Sequence, residues 1–246
     1  MAGFVLIHGS WHGGWCFDEV TARLRAAGHT VIAPTLPGMG GNEAQLRATT
    51  LQGWGDFAAA QCRALQEQLG GAPVVLGGHS RGGIVVSTAA EADPSAMGAL
   101  VYICAMMLPD GMSRAEFKAL EEPTPAFDAL ISKVHHGAGT VVDPALAGPV
   151  FAQLSPPELV AAALPRLLAE PHGPRSEPLH LTDARWGSLP RTYVECTQDR
   201  TIPIASQRLM QQLSPGARVV TLESDHSPYL CAAQALADAL IAAIPG

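Results

Sequence analysis

The sequence predicts an α/β fold: a mostly parallel sheet of about six strands, helices on both faces, and an inserted, mainly helical segment. Three observations lead there. Short apolar runs alternate with longer amphipathic runs along most of the chain. The short runs are continuously apolar rather than alternating, as strands buried on both faces require. One of them, Val74–Gly77, runs straight into Gly78-His79-Ser80-Arg81-Gly82 and an apolar helical pattern from Ile84, placing a serine at a strand–turn–helix bend.

The expected strands are Phe4–His8, Thr30–Ala33, Val74–Gly77, Ala99–Cys104, Thr192–Cys196 and Arg218–Leu222. Helices are expected at Phe17–Ala27, Leu51–Leu69, Ile84–Ala92, Ile204–Leu213 and Ala232–Ile244. Gly28, Gly70-Gly71, Pro94 and Pro215-Gly216 stand where most of these should stop. The rhythm breaks after Leu108. From there to Trp186 prolines are frequent, no buried strand is evident, and short helical pieces show at Arg114–Leu120 and Pro157–Ala169. Residues 108–186 are therefore read as a cap inserted into a core made of 1–107 and 187–246. It should cover the C-terminal edge of the sheet, where open α/β sheets bind ligands. The plainer reading is helical decoration.

Composition narrows the class. The 246 residues are 48% hydrophobic and 15% charged, which suits one α/β domain with an insertion. Net charge is -7 and only two lysines occur, Lys118 and Lys133. Nucleic acid and anionic membranes are thus excluded as expected partners. A homodimer stays open on this composition. The five cysteines are scattered without a C-x-x-C, and Cys104 and Cys196 read as core residues. This fits a reduced, cytoplasmic setting. Phe4–Ile7 is followed at once by His8-Gly9, so no signal peptide is expected, and no apolar run reaches transmembrane length.

A serine hydroxyl is a weak nucleophile that needs a base within hydrogen-bond reach, held by a third group. On this topology the chain order should be serine, acid, histidine. Among nine histidines, His226 follows the last expected strand, in a loop able to reach Ser80. Asp199 stands where the preceding strand ends, and its carboxylate would hold the imidazole tautomer. Asp225 is the rival acid, disfavoured because adjacent side chains seldom face each other. The plainer readings are a solvated loop histidine and a turn aspartate. An oxyanion needs two fixed N–H donors. The backbone N–H of Arg81 is one candidate, and that of Ser10, in the Gly-rich loop after the first strand, is the other. The Arg81 side chain is left open between a carboxylate partner and solvent. Trp11, Met106, Met107, Leu108, Phe127 and Trp186 are candidate substrate-lining residues, each with core packing as the alternative.

These residues resemble a known family. Phe4–Trp15 (FVLIHGSWHGGW), Leu76–Gly83 (LGGHSRGG), Phe151–Leu159 (FAQLSPPEL), Arg191–Pro203 (RTYVECTQDRTIP) and Asp225–Leu230 (DHSPYL) are similar to α/β-hydrolases of a compact group. That group holds plant methyl esterases that bind salicylate, hydroxynitrile lyases and bacterial carboxylesterases. The resemblance implies Ser80, Asp199 and His226 as the triad and Ser10 and Arg81 as the oxyanion donors. It also implies a cap of helices with a small extra sheet. Lyases of the group resemble one another in a threonine after the first-strand histidine and a lysine after the triad histidine. Here those positions hold Gly9 and Ser227, and no lysine follows Lys133. The expectation is hydrolysis of small to medium, largely apolar carboxylic esters, with a carbon–carbon lyase or a receptor-like binder as alternatives. Such chemistry asks for no cofactor, and no His/Cys/Asp spacing, His135-His136 included, resembles a metal site.

Overall fold

The computed structural model describes residues 1–245. In chain order the elements are β1 (Gly3–Ile7), α1 (Asp18–Ala26), β2 (Thr30–Ile32), α2 (Glu43–Ala48), α3 (Leu51–Gln68), β3 (Val74–His79), α4 (Gly82–Ala92) and β4 (Ala99–Ile103). A connecting segment follows, with α5 (Arg114–Lys118), α6 (Pro125–Asp128), β5 (Ile131–Val134), β6 (Gly139–Val142), α7 (Pro144–Phe151), α8 (Pro157–Ala163) and β7 (Glu170–Pro171). The chain then returns with β8 (Arg191–Cys196), α9 (Ile204–Leu213), β9 (Arg218–Leu222), α10 (Pro228–Cys231) and α11 (Ala233–Ile241).

The main sheet has six parallel strands in the order β2-β1-β3-β4-β8-β9. Strands β1, β3 and β4 are buried along their whole length, and alternate residues feed separate cores. Val5, Ile7, Val74, Leu76, Leu100 and Tyr102 join Trp54, Leu65 and Val86 of α3 and α4. Phe4, Leu6, Val75, Val101 and Ile103 join Phe17, Val20 and Leu24 of the α1 region and Leu236 and Leu240 of α11 in a second core. Each such side chain, taken fully out of water, contributes about 1.5–3 kcal/mol. That is why these runs carry no polar alternation.

The connecting segment contains a three-stranded antiparallel sheet, β5-β6-β7, of the kind that the family resemblance implied, although residue patterning alone showed only helical pieces. The central residues of β5, Ser132 and Lys133, are exposed, so the strand lacks a buried apolar signature. His135 and His136 make the tight turn into β6, both with positive φ (50° and 52°). A third core, built from Trp11, Leu130, Val142, Val150 and Phe151, joins this segment to the loop after β1. The Leu168 N–H also donates to the Trp11 carbonyl at 2.7 Å. The helix expected at Pro157–Ala169 stops at Ala163, where a 3-10 turn through Pro165 takes over.

All five cysteines are free, four of them buried. Among the described residues no helix is long and apolar enough to cross a membrane.

Candidate active site

Ser80 follows β3 directly, at a bend whose geometry depends on its glycines. Ser80 has φ +54°, a strained value for a non-glycine residue. A Cβ at Gly78 would lie 2.6 Å from the Gly82 carbonyl oxygen, and one at Gly82 would lie 2.7 Å from that of Ile7. Only glycine lets β1, the bend and α4 approach this closely. The Ser80 N–H donates to Ile103 (3.1 Å), and its carbonyl accepts from Gly83 (3.1 Å) and Met106 (2.9 Å). The strained residue is thus held from both sides.

Asp199 lies just beyond β8 and His226 just beyond β9, at the same C-terminal edge of the sheet. Ser80 Oγ lies 3.1 Å from His226 Nε2, and His226 Nδ1–H donates to Asp199 Oδ2 at 2.7 Å. Asp199 Oδ1 accepts the N–H groups of Thr201 (2.7 Å) and Ile202 (2.8 Å). All three residues are buried. Asp225 faces the other way. Its Oδ2 accepts from the Leu154 N–H (2.8 Å) and Ser155 Oγ (3.0 Å), and its Oδ1 accepts from the Ser227 N–H (2.8 Å). The rival acid therefore ties the histidine loop to the connecting segment and does not touch the imidazole.

Ser10 and Arg81 line the same cavity as Ser80, and their backbone N–H groups have no hydrogen-bond partner among the described residues. The side chain of Arg81, left open by sequence, is buried. Its Nε lies 3.2 Å from Glu170 Oε1, and its guanidinium stacks 4.2 Å from the Trp54 ring centroid. Glu170 also accepts from Ser10 Oγ (3.3 Å) and from the Trp11 N–H (3.0 Å). One buried carboxylate thus joins the loop after β1, the serine bend and β7. Nothing in the sequence around Glu170 singles it out, because its partners are more than eighty residues away.

Three further buried histidines surround the site. His8 donates from Nδ1 to the Gly9 carbonyl (2.8 Å) and accepts the Leu36 N–H at Nε2 (3.0 Å), which fixes one neutral tautomer. His12 Nδ1–H donates to the Ser10 carbonyl (2.7 Å), and His79 Nε2–H donates to the His226 carbonyl (2.7 Å). Burial, first of all, pushes His8 down to about 3 and His12 down to about 4, and puts His79 well below the usual imidazole range. They stay neutral around the site.

A cavity of about 140 Å³ opens at Ser80, on the seam between the sheet edge and the connecting segment. Trp11, Met106 and Phe127, expected as lining, do line it, together with Phe151 and Ile131. Leu108, Met107 and Trp186 do not. All three belong to the core beside α3 and α4, where Trp186 Nε1–H donates to the Tyr102 hydroxyl (2.8 Å). The correction has a simple cause. An apolar side chain near a sheet edge serves core and pocket equally well in one dimension, and only packing separates them.

The chain matches the family model described as the Alpha/beta hydrolase family over residues 4–239. It is 30% identical to the putative chloroplastic methylesterase 11 of Arabidopsis thaliana over 95% of its own length, and spans 61% of that protein. It is 31% identical to salicylic acid-binding protein 2 of Nicotiana tabacum, covering 97% of this chain and 95% of that one. Among solved structures, a pyrethroid hydrolase from Sphingobium faniae JZ-2 superposes with a TM-score of 0.82 at 30% identity, covering 98% of this chain and 97% of that one. The parallel sheet with its serine bend and this near-complete match agree, and the chain belongs to the alpha/beta hydrolase family.

Proposed function

We propose that the chain is a serine hydrolase of small to medium carboxylic esters. The observation that carries this reading is the unbroken line of contacts from Asp199 through His226 to Ser80, ending in a cavity. Ser80 Oγ attacks the ester carbonyl while His226 Nε2 takes its proton. Asp199 holds the imidazole and stabilises its positive charge. The tetrahedral oxyanion is received by the N–H groups of Ser10 and Arg81, donors of a kind whose loss costs on the order of 100- to 1000-fold in rate. The alcohol leaves with the proton from His226, and water then cleaves the acyl-enzyme by the reverse sequence. Each step uses only protons and the polypeptide's own donors. Residues 108–186 act as the cap over this centre.

Two observations favour hydrolysis over cyanohydrin cleavage. A Cβ at Gly9 would fall 2.8 Å from His79 Nδ1 and from Ser80 Cβ, so a threonine has no room there. Ser227, where the lyases carry lysine, donates its hydroxyl to the Phe151 carbonyl (2.9 Å). The name of the Arabidopsis relative points to methyl-ester hydrolysis, that of the bacterial protein to hydrolysis of pyrethroids and that of the tobacco relative to salicylic acid, and the first of these supports an ester substrate class. A cavity of 140 Å³ compares with the engineered ~150 Å³ cavities that accept benzene, so the bound group is about one ring in size. The free cysteines agree with a cytoplasmic location.

Turnover of p-nitrophenyl acetate and butyrate tests the reading. The wild-type chain should hydrolyse both, and Ser80→Ala should reduce kcat more than a thousandfold while keeping the fold. Equal rates in the two proteins would remove the serine from the mechanism.

A further inference from the structure

The cavity wall is electrically unlike the rest of the chain. Overall the protein has 15 Lys and Arg against 22 Asp and Glu. The wall reverses that balance, with Arg81, Arg114, Lys118 and Arg175 against Asp128 and Glu170 only. Most of these charges are matched: Arg81 with Glu170 at 3.2 Å, Lys118 with Asp128 at 3.1 Å, and Arg114 with Glu121 behind the wall at 2.9 Å. Arg175 has no ion pair among the described residues, so the wall holds one surplus cation.

Arg114 adds a second, independent observation. Its Nη2 is taken by Glu121, but its Nη1 is buried without a hydrogen-bond partner. A guanidinium presents its donors as a rigid fork suited to a carboxylate, and leaving one donor dry and unused is costly. Burial depresses the pKa of Arg114, Glu121 opposes that, and the positive charge of Arg175 adds to the depression. The helix that carries Arg114 packs on the Gly173–Ser176 turn that carries Arg175, and both side chains line the cavity. An anion held between these two wall residues would relieve both the orphaned donor and the repulsion. The rest of the wall offers aromatic and aliphatic surface from Trp11, Phe127, Ile131 and Phe151.

We propose that the preferred substrate is a half-ester: an ester whose acyl part ends in a free carboxylate, bound by Arg175 and Arg114 Nη1 while its ester carbonyl sits at Ser80. This rests on the esterase reading above and adds the substrate class to it. The reaction breaks the acyl carbon–oxygen bond, adds water across it, and releases an alcohol and a dicarboxylate. Neutral esters fill the apolar wall but leave the fork empty.

The test compares monomethyl glutarate with methyl hexanoate, and monomethyl terephthalate with methyl para-toluate. A charge-assisted hydrogen bond to the carboxylate is worth roughly tenfold to hundredfold. The wild-type protein should therefore favour each half-ester by roughly that factor in kcat/KM. The ratio should fall toward one in Arg175→Gln. Arg114→Lys, which keeps a cation facing Glu121 but loses the fork, is the second variant and should lower the ratio as well. Hydrolysis of the neutral esters with no preference for the half-esters would overturn the carboxylate site and leave the esterase reading standing. If no ester is turned over, the esterase reading falls, and calorimetry on Ser80→Ala decides the site separately. Binding of monomethyl glutarate that Arg175→Gln weakens tenfold would sustain it; no binding, or binding unchanged by the substitution, would overturn it.

Discussion

Replacing Asp199 by asparagine probes the site through a single atom. Asp199 Oδ1 accepts two backbone N–H groups, from Thr201 and Ile202, at 2.7 and 2.8 Å. Its Oδ2 accepts His226 Nδ1–H at 2.7 Å. In Asp199→Asn the amide must turn its oxygen to the two backbone donors. The opposite orientation would leave both N–H groups buried and unpaired, at about 1–3 kcal/mol each. The NH₂ group then faces His226 Nδ1, two donors head to head. The cheaper escape is for the imidazole to move its proton from Nδ1 to Nε2. Nε2 then presents an N–H to Ser80 Oγ and cannot accept its proton. We expect kcat on p-nitrophenyl butyrate to fall by about 10⁴, roughly 5.5 kcal/mol of transition-state stabilisation, with Tm little changed. A correctly folded Asp199→Asn retaining more than a tenth of the wild-type kcat would refute the tautomer argument.

Other perturbations test other parts of the same architecture. Glu170→Gln keeps the shape of the tie between the loop after β1 and β7 but leaves the buried Arg81 guanidinium without a countercharge. The cost should be about 3 kcal/mol, read as a Tm lower by roughly 6–12 °C, and an unchanged Tm would contradict the pairing. Acid stability should reflect the neutral histidines. His8 and His12 are depressed to about 3 and about 4 when folded, while the unfolded chain takes up those protons near the ordinary value of about 6.5. The unfolded state therefore binds more protons over this window, and stability falls as pH drops below about 6.5. At pH 5 the loss is about 2 kcal/mol for each residue, seen as a lower urea midpoint than at pH 7. His12→Gln should flatten that dependence, and an identical slope in the variant would show that His12 is not the source.

Residue patterning located the six main strands to within one or two residues, because β1, β3 and β4 are buried along their whole length and the less buried β2 and β9 still carry runs of β-branched residues. Ser80, Asp199 and His226 could be picked out because the topology prescribes where such side chains stand: at a strand–helix bend and just after two later strands. What one dimension withheld is every property that depends on partners distant in sequence. The antiparallel strands β5–β7 are two to four residues long and β5 is partly exposed, so they leave no strand-length apolar run. Leu108 and Trp186 went to the core while Phe151 and Ile131 lined the cavity, a division set by packing. Glu170, Arg114 and Arg175 look like ordinary solvated charges in sequence. Chain order and hydrophobic period therefore fixed the sheet and the positions able to present a nucleophile, an acid and a base, since both follow from local burial and strand direction. Tertiary structure alone decided which apolar residues line the cavity, what closes over Ser80, and where the buried charges are paired, because a packing, Coulomb or hydrogen-bond partner is chosen by distance in space.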